Sequence, residues 1–169
     1  MIQVSLDTSF LISFADPSRP HHAIAVDYFR HCLAQRIPMW ISVIAAGEFE
    51  VKQPVSDLQL QYFRIQPYNL PHAIRAAALL RSLQAGTAQP AEHDARKIII
   101  NDLKIIAQAE EEKIPVILTE DANTLSKIVA RLRQANATSV HVLLLKDGFV
   151  PGKLENPDQG ELTLPSAAA

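Results

Sequence analysis

The sequence predicts an α/β protein with a central, mostly parallel sheet of four or five strands and helices on both faces. Two observations predict it. Short apolar, β-branched runs alternate along the chain with stretches of helical periodicity, an order that favours parallel strands joined by helical crossovers. The chain of 169 residues is also the length of one domain, and its 48% apolar content is enough to bury a core.

The first strand is expected at residues 2–6, ending at Leu6 before Asp7-Thr8-Ser9. A helical stretch follows from Phe10 to Ala15, punctuated by Pro17 and Pro20. Ile24, Tyr28, Phe29, Cys32 and Leu33 recur at helical spacing, which predicts an amphipathic helix over 20–35. The run 39–44 reads as a buried strand that places Trp40 in the core, and a short helix starting near Ala45 carries Glu48. Residues 53–70 show little pattern beyond a short strand at 62–65. Helical patterns return over 71–85, with Gly86 just past the end, and over 91–113, as two helices or one bent near Asn101. Strands at 115–118 and 140–145 flank a helix from Asp121 to Arg133.

Sixteen basic and 18 acidic residues give a net charge of −2, which does not advertise a nucleic-acid binder. From Asp147 onward four acids face Lys153 alone, so the rest of the chain is near neutral. The lone Cys32 excludes an internal disulfide and a cysteine-based zinc site. The opening residues lack the basic-then-apolar pattern of a secretory signal, and no apolar run is long enough to span a membrane. A reducing, cytoplasmic setting is expected. There is no GxxxxGK[ST], GxGxxG or GxSxG motif. A response-regulator receiver is disfavoured because the phospho-acceptor aspartate of its central strand is missing, the second strand leading to Glu48 instead.

In open parallel sheets, ligands bind outside the carboxyl ends of the strands. Asp7 follows the first strand, Glu48 lies a helical turn past the second and Asp121 follows the third. Asp102 opens the apolar helical segment that leads into that third strand. Four carboxylates gathered in one place repel unless a cation sits among them, and an all-oxygen set suits Mg²⁺, Mn²⁺ or Ca²⁺ rather than zinc. Such an ion polarises a phosphodiester and makes hydroxide from bound water. The plain alternative is that Asp7, Asp102 and Asp121 each cap a helix and Glu48 is an exposed helical residue. Pattern and spacing reach no further than a possible metal site.

The segments 4–12, 41–49, 100–109 and 116–121, each built around one of these acids, resemble in order the four acidic motifs of PIN-domain proteins, and most nearly the VapC-like ribonucleases. The resemblance covers residues 2–145. It implies a PIN-like three-layer fold over 1–146, followed by an irregular acidic extension over 147–169. It further implies a Mg²⁺- or Mn²⁺-dependent endoribonuclease, many relatives being toxins held off by a small antitoxin, and a homodimer. Asp7, Glu48, Asp102 and Asp121 would hold the ion, with Thr8, Ser9 and Thr119 as hydroxyl neighbours. Glu48 is preferred to Glu50 because Phe49 follows it as the family pattern asks. The chain departs from that pattern at Asn123, where many members carry another acid and where the amide would still coordinate or hydrogen-bond beside the site without adding charge, and at Ala45, where a threonine is common. Two alternatives stand beside this reading: a PIN fold that binds with weak or no catalysis, and a metal-dependent nuclease acting on DNA.

Arg96, Lys97 and Lys104 flank Asp102 and either contact RNA phosphates or offset the acids. Lys127 and Arg131, four apart on a helix without acids, are further candidates for RNA contact, against the plainer reading of a solvated basic face.

Overall fold

The computed structural model describes residues 2–85 and 93–158, and of 93–98 the helical backbone alone. In chain order it builds β1 (Val4–Leu6), α1 (Thr8–Ala15), α2 (His22–Ala34), β2 (Met39–Ser42) and α3 (Val43–Glu50). Two 3-10 turns, Val55–Asp57 and Leu60–Tyr62, lead into β3 (Arg64–Gln66). Then come α4 (Leu70–Gln84), α5 (His93–Glu111), β4 (Val116–Thr119), α6 (Leu125–Gln134) and β5 (His141–Leu144). A 3-10 turn at Leu145–Asp147 and a single helical turn, α7 (Gly152–Glu155), follow.

The five strands form one sheet in the order β3-β2-β1-β4-β5, and every pairing is parallel. The sheet is thus all-parallel with five strands. Val4, Ser5 and Leu6 of the central strand are all buried, as are all four residues of β4. Burial on both faces is what helices flanking a parallel sheet impose. The hydrophobic core runs through Leu6, Phe10, Ile41, Ile106, Ile117, Leu118 and Leu132.

Three expected elements shift for identifiable reasons. The second strand ends at Ser42, because its hydroxyl accepts the Ile44 N–H at 3.0 Å and starts α3 at Val43 rather than near Ala45. The 91–113 region is one helix, α5, so Asp102 lies in its interior and not at an opening. The segment after β4 is a turn up to Thr124, and α6 begins at Leu125. Trp40 is only partly buried: its indole N–H donates to Gln3 Oε1 at 2.9 Å and the Arg64 guanidinium lies 5.4 Å from the ring centre. Gly86 and residues 159–169 lie outside the described residues.

The strand order places the site. β1 has β2 on one side and β4 on the other, so the crossovers leave in opposite directions and open a crevice at the carboxyl ends. In register, Leu6 stands beside Leu118, and Asp7 N–H donates to the Leu118 carbonyl at 3.1 Å. The turn after β1 and the turn after β4 are therefore adjacent.

The chain after β5 packs back on the body. Tyr28 of α2 donates its hydroxyl to the Gly148 carbonyl at 3.3 Å and accepts the Val150 N–H at 3.1 Å. Phe149 meets the Tyr28 ring edge-on, and Leu154 of α7 is buried. Among the described residues no helix is long and apolar enough to cross a membrane.

Candidate metal and nucleic-acid site

The four acids come together. Asp7, Glu48, Asp102 and Asp121 line one cleft of about 530 Å³ with Thr8, Ser9, Ile12, Lys52 and Asn101. Each arrives on a different element: Asp7 at the start of α1, Glu48 on α3, Asp102 in mid-α5 and Asp121 after β4.

Asp7 caps α1 and is also the centre of a hydroxyl cluster. Its Oδ2 accepts the Ser9 and Thr119 hydroxyls, both at 2.8 Å, and the Ser9 N–H at 3.4 Å. Those hydroxyls in turn accept the N–H groups of Glu120 and Asp121, each at 2.9 Å. The β1 and β4 turns are thereby laced together through one carboxylate. Burial pushes Asp7 above the usual aspartate range despite these donors.

Asp121 holds the turn that leads into α6. Its Oδ1 accepts the N–H groups of Asn123 and Thr124, both at 2.8 Å, and its Oδ2 accepts the Thr124 hydroxyl. Burial works against its charge, but these donors outweigh it and hold the carboxyl below its ordinary value. The side chain of Asn123 does not line the cleft, and only its backbone N–H meets Asp121.

Glu48 has both oxygens engaged. Oε2 accepts the Thr8 hydroxyl and Oε1 accepts the Asn101 amide at 2.8 Å. Glu50 is exposed, stands outside the cleft and accepts the Val55 N–H at 2.6 Å.

Asp102 differs from the other three. It is 9% exposed, its Oδ2 is buried without a hydrogen-bond partner, and it caps no helix. Burial, then the charges of Asp7, Asp121 and Glu48, pushes its carboxyl up to about 8. A buried polar atom without a partner costs roughly 1–3 kcal/mol. Nothing in the fold is gained in return, so a ligand is the natural counterpart.

An ion fits the chemistry of the donor set: four carboxylates that supply hard oxygen donors, one of them with a buried, unpartnered oxygen. Among the described residues, no three His, Cys, Asp or Glu side chains are gathered as a ready-made cage.

A PIN-domain family model matches residues 4–130. The chain belongs to the PIN domain family. No curated protein sequence matches it. Its fold is similar to that of solved VapC toxins and their complexes. VapBC2 from Rickettsia felis, bound to a promoter DNA fragment, aligns with a TM-score of 0.57 at 14% identity, over 83% of this chain and 98% of that one. DNA-bound VapBC from Salmonella typhimurium aligns at 0.53 and 17% identity, over 86% and 99%. VapC20 from Mycobacterium tuberculosis, described as a sarcin–ricin loop cleaving toxin, aligns at 0.51 and 14%, over 82% and 99%.

The basic residues fare unevenly against this PIN cleft. Lys104 is directed elsewhere, its ammonium 5.9 Å from the centre of the Tyr68 ring. Arg131 donates to the Leu83 carbonyl at 3.3 Å and so ties α6 to α4. Lys127 is exposed on α6 but does not line the cleft. The side chains of Arg96 and Lys97 lie outside the described residues. Sequence reasoning missed Lys52 and Asn101. Lys52 is four residues past Glu48, a spacing that shares a helix face and was the available signal. Asn101 carries no comparable signal, because an asparagine beside an aspartate reads as a bend.

Proposed function

We propose that this PIN protein is a Mg²⁺- or Mn²⁺-dependent endoribonuclease that hydrolyses RNA phosphodiesters, and that it is the toxin of a toxin–antitoxin pair. The observation that carries the first half is Asp102: a buried, unpartnered carboxylate oxygen facing a cleft lined by three more acids. Asp7, Glu48, Asp102 and Asp121 would hold the ion. When bound, the ion would polarise the phosphodiester and activate water for attack.

The chain's own groups do the rest. Ser9 and Thr119 fix the face that Asp7 presents, and Thr124 with the turn N–H groups fixes Asp121. Thr8 and Asn101 aim Glu48. A cation held by Asp102 would favour its ionised form, against the burial and the neighbouring charges that otherwise raise its carboxyl. The similarity to solved VapBC complexes supports an antitoxin protein as partner, and the homodimer implied by the family resemblance is proposed with it.

The test is cleavage of a mixed RNA pool with Mg²⁺, Mn²⁺ or chelator, beside Asp7→Asn and Asp102→Asn. Cleavage that needs the ion and is lost in both variants is the expected result. Asn123, an uncharged amide where many PIN proteins carry another acid, motivates one second reading, a PIN fold that binds without cutting. A folded, partner-free sample that cuts no RNA in either ion would point to that reading or to a very narrow substrate. For the toxin half, co-expression with the product of an adjacent small reading frame should give a stable complex that no longer cuts.

A further inference from the structure

Lys52 is the one cation lining the acid cleft among the described residues. Resting on the nuclease reading above, we propose that Lys52 is a substrate-positioning residue whose ammonium holds a phosphate oxygen of the RNA strand in the cleft.

On a continuing helix a lysine four residues after a glutamate pairs with it, but Lys52 lies on the turn just past the end of α3. Here that partner is taken. Glu48 spends one oxygen on Thr8 and the other on Asn101. Lys52 is exposed, and its ammonium forms no ion pair or hydrogen bond among the described residues. The turn that presents it is pinned on both sides. Lys52 N–H and Gln53 N–H both donate to the Phe49 carbonyl, at 2.9 and 3.0 Å, and the Glu50 carboxylate accepts the Val55 N–H. A fixed turn therefore carries a free cation over a wall of acids.

Charge shows why the cleft needs it. Four ionised carboxylates and one divalent ion leave two negative charges, and a phosphodiester must enter that field. Lys52 halves the remainder at the point of entry. The position where a further acid would favour a second ion is Asn123, whose side chain does not line the cleft. The positive charge beyond the first ion thus falls to Lys52. Among the described candidates, Lys104 sits over Tyr68, Arg131 is committed to Leu83 and Lys127 does not line the cleft.

The experiment measures binding of a short labelled single-stranded RNA across a salt series, in an Asp102→Asn background that blocks cleavage. Lys52→Gln is compared with Lys52→Arg and with Lys113→Gln, a control on the turn before β4 at the opposite end of the strands. Lys52→Gln should weaken binding roughly 3–10-fold and lower the slope of log K against log salt by about 0.7, the loss of one phosphate contact. Lys52→Arg should keep the slope, and Lys113→Gln should match the parent. A Lys52→Gln protein with the parent's affinity and slope overturns the proposal. Cleavage without the Asp102→Asn change separates the two readings. A chain that cuts RNA equally well with and without Lys52 overturns the role of Lys52 and leaves the nuclease standing. A chain that cuts nothing, yet still loses one phosphate contact with Lys52→Gln, upholds Lys52 and overturns the nuclease.

Discussion

The two walls of the cleft are built on opposite principles. On the β1/β4 wall, Asp7 and Asp121 each accept several hydrogen bonds and hold a turn or a helix start in place. Those acids would be worth keeping for structure alone. On the α5 wall, Asp102 sits in a helix interior, capping nothing, with a buried oxygen that meets no donor. An acid with a structural role says little about function. One that only costs stability says a great deal, because the fold alone does not account for it.

The contrast breaks most sharply in activity. Asp102→Asn should reduce RNA cleavage by about 10²–10³-fold, the scale of losing a ligand to an ion worth several kcal/mol to the reaction. A steady-state assay with excess Mn²⁺ checks this. Retained cleavage would remove Asp102 from the site.

Stability should move the other way. In the fold Asp102 holds its proton up to about pH 8, whereas an unfolded aspartate loses it near pH 4. Between those values the folded state binds more protons, so metal-free stability falls as pH rises through the window. Asp102→Asn should flatten that fall and stabilise the metal-free protein by a few kcal/mol at pH 8, on the order expected for a shift of this size. Denaturant melts at pH 5 and pH 8 in chelator read it directly.

On the other wall the sign reverses again. Asp121→Ala should destabilise the fold by about 1–2 kcal/mol through the orphaned turn N–H groups, with or without metal. Equal stability of variant and parent would mean that the turn does not depend on this acid. The smallest effect belongs to Glu50. Glu50→Gln should leave cleavage unchanged and shift stability by less than about 1 kcal/mol, since among the described residues its carboxylate makes one exposed hydrogen bond, to Val55. Loss of cleavage there would mean that the second acid had been misplaced.

How much of this was legible in sequence follows the same division. Asp7 and Asp121 follow apolar strands, so their place at the carboxyl ends could be read from pattern. Asp102 could not be read so, because Asn101-Asp102 in a helical run looks like a break. In the fold that polar pair is the face of one unbroken helix turned towards the cleft. Helix α3 was expected late because Val43-Ile44 continues a β-branched run, and the capping hydroxyl of Ser42 overrides that propensity. The region 53–70 was opaque because two single 3-10 turns and a three-residue edge strand have no period to detect. The ties of Glu48 to Thr8 and Asn101, and with them the freedom of Lys52, depend on contacts across the cleft that no local pattern encodes.

The most direct test of the account is a calorimetric titration of Mn²⁺ into the metal-free protein and into Asp102→Asn. The parent should bind the ion, and Asp102→Asn should bind at least about tenfold more weakly, the minimum expected for losing a ligand when even outer partners are worth 10–100-fold. Equal binding by the two proteins, or none by either, would contradict the claim that Asp102 is kept unpartnered for a cation.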